Sequence, residues 1–139
     1  MLAAVRRARQ GAGNEKGKEV IKHISFIKRH ANVSREEFRK YWEEVHAPLV
    51  REALPTLKKY VGNFTIEEDK ENNWGLETRG NVLDCDLVVE LHFDSIADMH
   101  KSMQGPGWLN DKRRASSSTV IDYKVMQMVI TEVVDIPLK

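Results

Sequence analysis

His46 is the residue whose type and surroundings best suit chemistry. It lies in Ser34–Leu49, SREEFRKYWEEVHAPL, two residues before Pro48. An imidazole titrates near neutral pH, so it can take an acidic C–H proton or return one to a carbanion. Pro48 has no amide proton and biases Ala47 out of the helical region, which predicts a break or kink at the histidine. The same residues also allow a structural histidine whose ring caps the broken helix end. Tyr41 and Trp42 fall one turn earlier on the same face. The Tyr41 hydroxyl is a candidate to orient a carbonyl or enolate, while Trp42 and Phe38 read as core that doubles as pocket wall. His100 follows Met99 at the edge of a second apolar stripe and is a further pocket candidate. Trp74 and Trp108 stand in loop-like stretches, where they would close over an aromatic ligand or anchor their loops.

Other chemistries have less support. No histidine or carboxylate spacing on one helix marks a metal site, and Cys85, the only cysteine, excludes both a cysteine-cluster zinc site and an internal disulfide. A lone cysteine also fits a reducing, cytoplasmic compartment. Gly105-Pro106-Gly107 follows a helix instead of opening one, so it reads as a turn and not a phosphate loop. Lys112-Arg113-Arg114 reads as a solvated patch, with a hold on a substrate carboxylate as the alternative. The balance of 22 Lys and Arg against 21 Asp and Glu gives no basic field for nucleic acid. No apolar run approaches the ~18 residues of a membrane span.

The elements that must position these residues follow from periodicity. Residues 1–19 carry Arg6, Arg7 and Arg9 with no acid before Glu15, and read as a flexible tail ahead of a single domain over 20–139. Val20–Lys28 alternates and predicts a strand. Ser34 and Glu37 form a capping box for a helix running to about Ala53. Phe38, Tyr41, Trp42, Val45 and Leu49 make its apolar stripe, with His46 roughly 70° off the stripe's centre. Lys59–Glu68 predicts a second strand, Asp69–Asp84 a long polar loop, and Cys85–Phe93 a third strand. Ser95 caps a second helix through Met103. A short helical turn over Trp108–Arg114, a turn at Ser116–Ser118 and a long strand over Thr119–Val134 complete the chain. The order β-α-β-β-α-β predicts an α+β, ferredoxin-like fold: a four-stranded antiparallel sheet with both helices on one face. The other face, with Asp86, Val88, Glu90 and His92, is then free to meet a second sheet in a homodimer.

SREEFRKYWEEVHAPLV, following the strand VIKHISFIKRH, closely resembles the opening of EthD-domain proteins, whose run is S-x-E-E-F-x-x-Y/H-W/Y-x-x-x-H-x-P-L. DLVVELHFDSIADM resembles the family's third strand and second helix. The resemblance covers about residues 20–135 and implies a dimeric α+β barrel, two sheets face to face, with a ligand pocket between each sheet and its helices. It is nearest to small fungal polyketide-pathway members of secondary metabolism, which implies a lyase acting without a cofactor on an aromatic or polyketide β-keto acid. The reaction implied is decarboxylation or dehydration and cyclisation, with His46 as the family's H-x-P histidine. A non-catalytic protein that binds a hydrophobic aromatic molecule, and a cofactor-free monooxygenase, are the alternatives on the same barrel. The stretch NDKRRASSSTVIDYK departs from the acidic, Asp- and Phe-containing stretch usual before the family's last strand. The proline-histidine pair of related plant-type cyclases has no counterpart at Gly107-Trp108.

Overall fold

Alternate residues of IKHISFI and LVVELHF point to opposite faces, and in both segments the odd positions are buried. These are strands β1 (Ile21–Ile27) and β3 (Leu87–Phe93), antiparallel neighbours with Ile21 opposite Phe93 and Ile27 opposite Leu87. A computed structural model describes residues 20–66 and 82–139. The 1–19 tail, the end of the expected second strand, and most of the 69–84 loop with Trp74 lie outside the described residues. β2 (Lys59–Phe64) pairs with β3, and β4 (Gln127–Glu132) with β1, giving the antiparallel order β2-β3-β1-β4 of the ferredoxin-like fold. No helix of the described residues is long and apolar enough to cross a membrane.

The helices start where the sequence predicts. Ser34 Oγ accepts from Glu37 N at 3.1 Å, the first half of the capping box, ahead of α1 (Arg35–Tyr41). The chain then widens into a π turn (Trp42–His46), in which Ala47 N donates to Trp42 O five residues back, and continues as α2 (Ala47–Ala53). The expected break at Pro48 is therefore a bulge. The wider turn takes in the proline ring and its missing donor without ending the helix. Ser95 Oγ accepts from Asp98 N at 3.0 Å and caps α3 (Ile96–Met103).

The bulge decides which residues face the sheet. Phe38, Trp42, His46, Val50 and Leu54 are all buried, whereas Val45, expected in the apolar stripe, is 41% exposed. A row stepped by four drifts roughly 160° around an uninterrupted α-helix over this length. The one extra residue of the π turn takes back roughly 100°. His46 consequently lies on the buried row and not at its edge.

Two expectations for the C-terminal third are corrected. Ser116–Ser118 is not a turn but the last part of α4 (Asp111–Ser118), capped by Asn110 Oδ1 at 2.8 Å from Lys112 N. Ser117 and Ser118 donate to the carbonyls of Arg114 and Ala115, three residues back, so the serine run stays helical. The last strand is the six residues of β4 instead of 119–134. Asp122 interrupts it, its Oδ1 accepting from Lys124 N at 3.1 Å in a side-chain-closed turn.

The core is one layer between sheet and helices. Leu87, Val89, Leu91 and Phe93 meet Phe38, Trp42, Val50, Leu54 and Met99 there. Each such fully buried side chain stabilises by about 1.5–3 kcal/mol. Pairing register puts Ile24, Phe26, Val61 and Val88 on the opposite face, half-buried, around Glu90, which Lys22 and His92 meet at 2.8 and 3.1 Å.

Candidate active site

Between the helix-bearing face of the sheet and the π turn, α2 and α4 lies a cavity of about 580 Å³. Ile27, Val89, Leu91, Val50, Ile121 and Met126 supply much of its wall, so it is dominantly apolar. A few polar groups converge on it, which is the arrangement of a small-molecule site.

His46 is the first of these. It is 7% exposed, and its Nδ1 is sealed from solvent with no hydrogen-bond partner. Nε2 is thereby the ring nitrogen left to meet a molecule in the cavity. Burial, and then the charge of Arg113, lower its pKa from 6.5 to about 4. The imidazole is neutral at pH 7, able to accept a proton and poorly able to hold one.

Trp42 and Tyr60 form the adjoining wall. The Trp42 ring is edge-to-face with Tyr60 at 5.4 Å and with Phe64 at 5.5 Å. It reaches β2 only because residue 62 is glycine: a Cβ there would lie 2.5 Å from Trp42 Cη2. Burial pushes the Tyr60 phenol above its ordinary pKa, so it keeps its proton and has an O–H to donate. Across the cavity, Arg113 on α4 lies with its guanidinium carbon 3.7 Å from the Trp108 ring centroid, and its Nε donates to Trp108 O at 2.8 Å. Burial lowers the Arg113 pKa; Tyr123 partly offsets this, and neighbouring Arg114 lowers it again.

The residues singled out in the sequence divide. His46, Trp42 and Trp108 line the cavity. Tyr41 does not: its hydroxyl is 2.7 Å from Ser116 Oγ and 3.1 Å from Ser116 O, tying α1 to α4. Phe38 is placed in the core against Phe64, at 1% exposure, and not on the cavity. His100 is exposed on α3, since the buried stripe there runs through Met99 and Ser102. Trp74 is outside the described residues.

Other cavity residues carried little sequence signal. His23 sits on the buried face of β1, its pKa lowered by burial and its Nδ1 without a partner. The alternation Ile21, His23, Ser25, Ile27 places it inward. Arg113 read in the sequence as part of a solvated Lys112-Arg113-Arg114 patch, with a carboxylate hold as the alternative, and α4 places it on the cavity.

The EthD domain model matches residues 30–113. No curated protein matches the chain. Among solved structures, an EthD family protein of Bacillus halodurans is 15% identical with a TM-score of 0.58, over 83% of this chain and 99% of that one. A hydroxynitrile lyase of Passiflora edulis is 13% identical with a TM-score of 0.61, over 88% and 100%. A dimeric protein of ferredoxin-like fold from Bacteroides fragilis is 13% identical with a TM-score of 0.52, over 82% and 96%. At such identities the likeness establishes the fold.

Proposed function

The chain belongs to the EthD domain family, and from that premise we propose that it is a lyase whose own side chains eliminate water from, or cyclise, an aromatic or poly-β-keto substrate. The observation that carries this reading is the neutral His46, desolvated, with Nδ1 sealed and its ring on an apolar cavity. Nε2 takes a proton from the carbon next to a carbonyl. The electrons move onto the carbonyl oxygen, where the protonated Tyr60 hydroxyl donates to the enolate. In dehydration the enolate expels the β-hydroxyl, which takes the proton from imidazolium His46 and leaves as water, restoring the neutral base. In cyclisation the enolate carbon attacks a second carbonyl, whose oxygen takes that proton. Decarboxylation fits less well, because protonating the product carbanion calls for an imidazolium that burial and Arg113 disfavour. The hydroxynitrile lyase among the structural neighbours is consistent with lyase chemistry on this fold.

The test is incubation with a panel of aromatic and poly-β-keto acids and mass spectrometry of the products. Loss of water, or a ring formed at unchanged composition, supports the reading, with the rate falling ~10²–10⁴-fold in His46→Ala. Full activity in that variant sinks the assignment. Loss of carbon dioxide makes the protein a decarboxylase, oxygen uptake a monooxygenase, and retained, unchanged ligand a binding protein. The pH profile separates base from acid: with His46 as base, kcat/KM holds at neutral pH and falls as pH drops through about 4.

The half-buried apolar residues of the open sheet face, Ile24, Phe26, Val61 and Val88, support a homodimer closed through that face, and the Bacteroides fragilis neighbour is itself dimeric. Sedimentation equilibrium of the wild type against Phe26→Glu tests it, with a monomeric variant expected.

A further inference from the structure

We propose that Arg113 is the carboxylate anchor of the cavity, so that the substrate is an acid that keeps its carboxylate through the reaction. This deepens the proton-abstraction reading above and rests on it for the reaction, though not for the binding.

Arg113 is held in place on two sides. Its Nε is spent on Trp108 O and its plane lies against the Trp108 ring, which fixes the fork from the back and from one side. Its two terminal nitrogens have no acceptor among the described residues. The other half-buried arginines differ. Arg29 lies 3.8 Å and Arg35 3.0 Å from Asp86, the latter as a direct hydrogen bond. Arg113 is thus a half-buried guanidinium with no ion pair among the described residues, beside Tyr123 and the further charge of Arg114, on the wall of a dominantly apolar cavity. Removing a cation from water without a partner is costly, and a carboxylate seated bidentately relieves that cost while matching the fork's geometry.

The same placement selects among reactions. Losing carbon dioxide carries the charge away from the carboxylate, so a guanidinium bonded there stabilises the ground state more than the transition state and slows that step. Abstraction of a proton elsewhere on the molecule leaves the carboxylate on its anchor. Arg113 also lowers the basicity of His46. An anion on the fork neutralises that charge, so a bound acid raises the His46 pKa and improves the base while the site is loaded.

The experiment uses the full chain with 2-naphthoate and methyl 2-naphthoate as probes, by calorimetry. Wild type is expected to bind the acid about tenfold or more tightly than the ester. In Arg113→Gln that preference disappears with ester affinity unchanged, and Arg113→Lys, which keeps charge without the fork, is intermediate. A second reading needs no variant: the His46 ring resonances of the wild type titrate at higher pH with 2-naphthoate bound than with the ester bound. Equal affinity for acid and ester, no detectable binding of the acid, a preference retained in Arg113→Gln, or no shift of His46 would each overturn the anchor. Failure of the base is seen separately, as undiminished turnover in His46→Ala with the acid preference intact.

Discussion

Acidification below about pH 6.5 should destabilise this protein through His46. The ring has an ordinary pKa of 6.5 when the chain is unfolded and about 4 when it is buried beside Arg113. Between those values the unfolded chain binds a proton that the folded one refuses, so stability is full above pH 6.5 and is lost as pH falls toward 4. At about 1.4 kcal/mol per pH unit, that gap removes about 3 kcal/mol, a large share of the roughly 5–15 kcal/mol of a typical domain. Glu90 acts in a lower window. Hydrogen bonds from Lys22 and Asn63 hold its pKa at about 2 instead of 4.5, so its contribution is lost only as pH falls between those values. His23, also lowered by burial, adds to the His46 window in the same sense. The assay is urea unfolding at fixed protein concentration across this range, for wild type and His46→Gln. The variant starts from its own stability at neutral pH, so the slopes are compared and not the absolute values. Wild type should lose about 3 kcal/mol more than the variant between pH 7 and pH 4. Parallel curves would refute the reasoning, since they would mean that His46 is protonated as readily folded as unfolded.

Two further substitutions test how the cavity and its frame are held. Gly62→Ala places a methyl 2.5 Å from Trp42 Cη2, in a ring already fixed by Tyr60 and Phe64. It should cost about 1–3 kcal/mol and shift the tryptophan emission; an unchanged melting midpoint and spectrum would show that the indole does not rest on residue 62. Asp86 accepts from Arg29 N at 2.9 Å and from Arg35 Nη1 at 3.0 Å, so it ties the start of α1 to the ends of β1 and β3. Asp86→Ala should cost about 1–3 kcal/mol by removing the carboxylate that Arg29 N and Arg35 Nη1 share, read by denaturant titration, and a loss below about 1 kcal/mol would show that solvent replaces it.

The cavity has a simple economy of parts. Its base comes from a bulge in one helix, its donor from β2 and its cation from α4, elements far apart in sequence. Burial of the histidine comes first in lowering its pKa, and the charge of Arg113 adds to it.

The fold was legible in the sequence because its determinants are local. Alternation in IKHISFI and LVVELHF specifies which strand face is buried, Ser34 and Ser95 specify where two helices begin, and the order of elements points to the ferredoxin-like sheet. His46 was visible by type and by Pro48. Its position was not, because a periodicity count advances every residue by the same angle, and the π turn breaks that assumption at Trp42–His46. Tyr41 fell on the expected face but is claimed by Ser116, on a helix its own segment cannot foresee. Arg113 sat in a run of charges indistinguishable from a solvated surface until α4 turned it onto Trp108. Residue types and local rhythm therefore determined the elements and the candidate base. Which nitrogen is sealed, which charge lies beside it and which side chains share its cavity were decided only by tertiary packing, because burial and electrostatic coupling depend on distances through space that no local pattern carries.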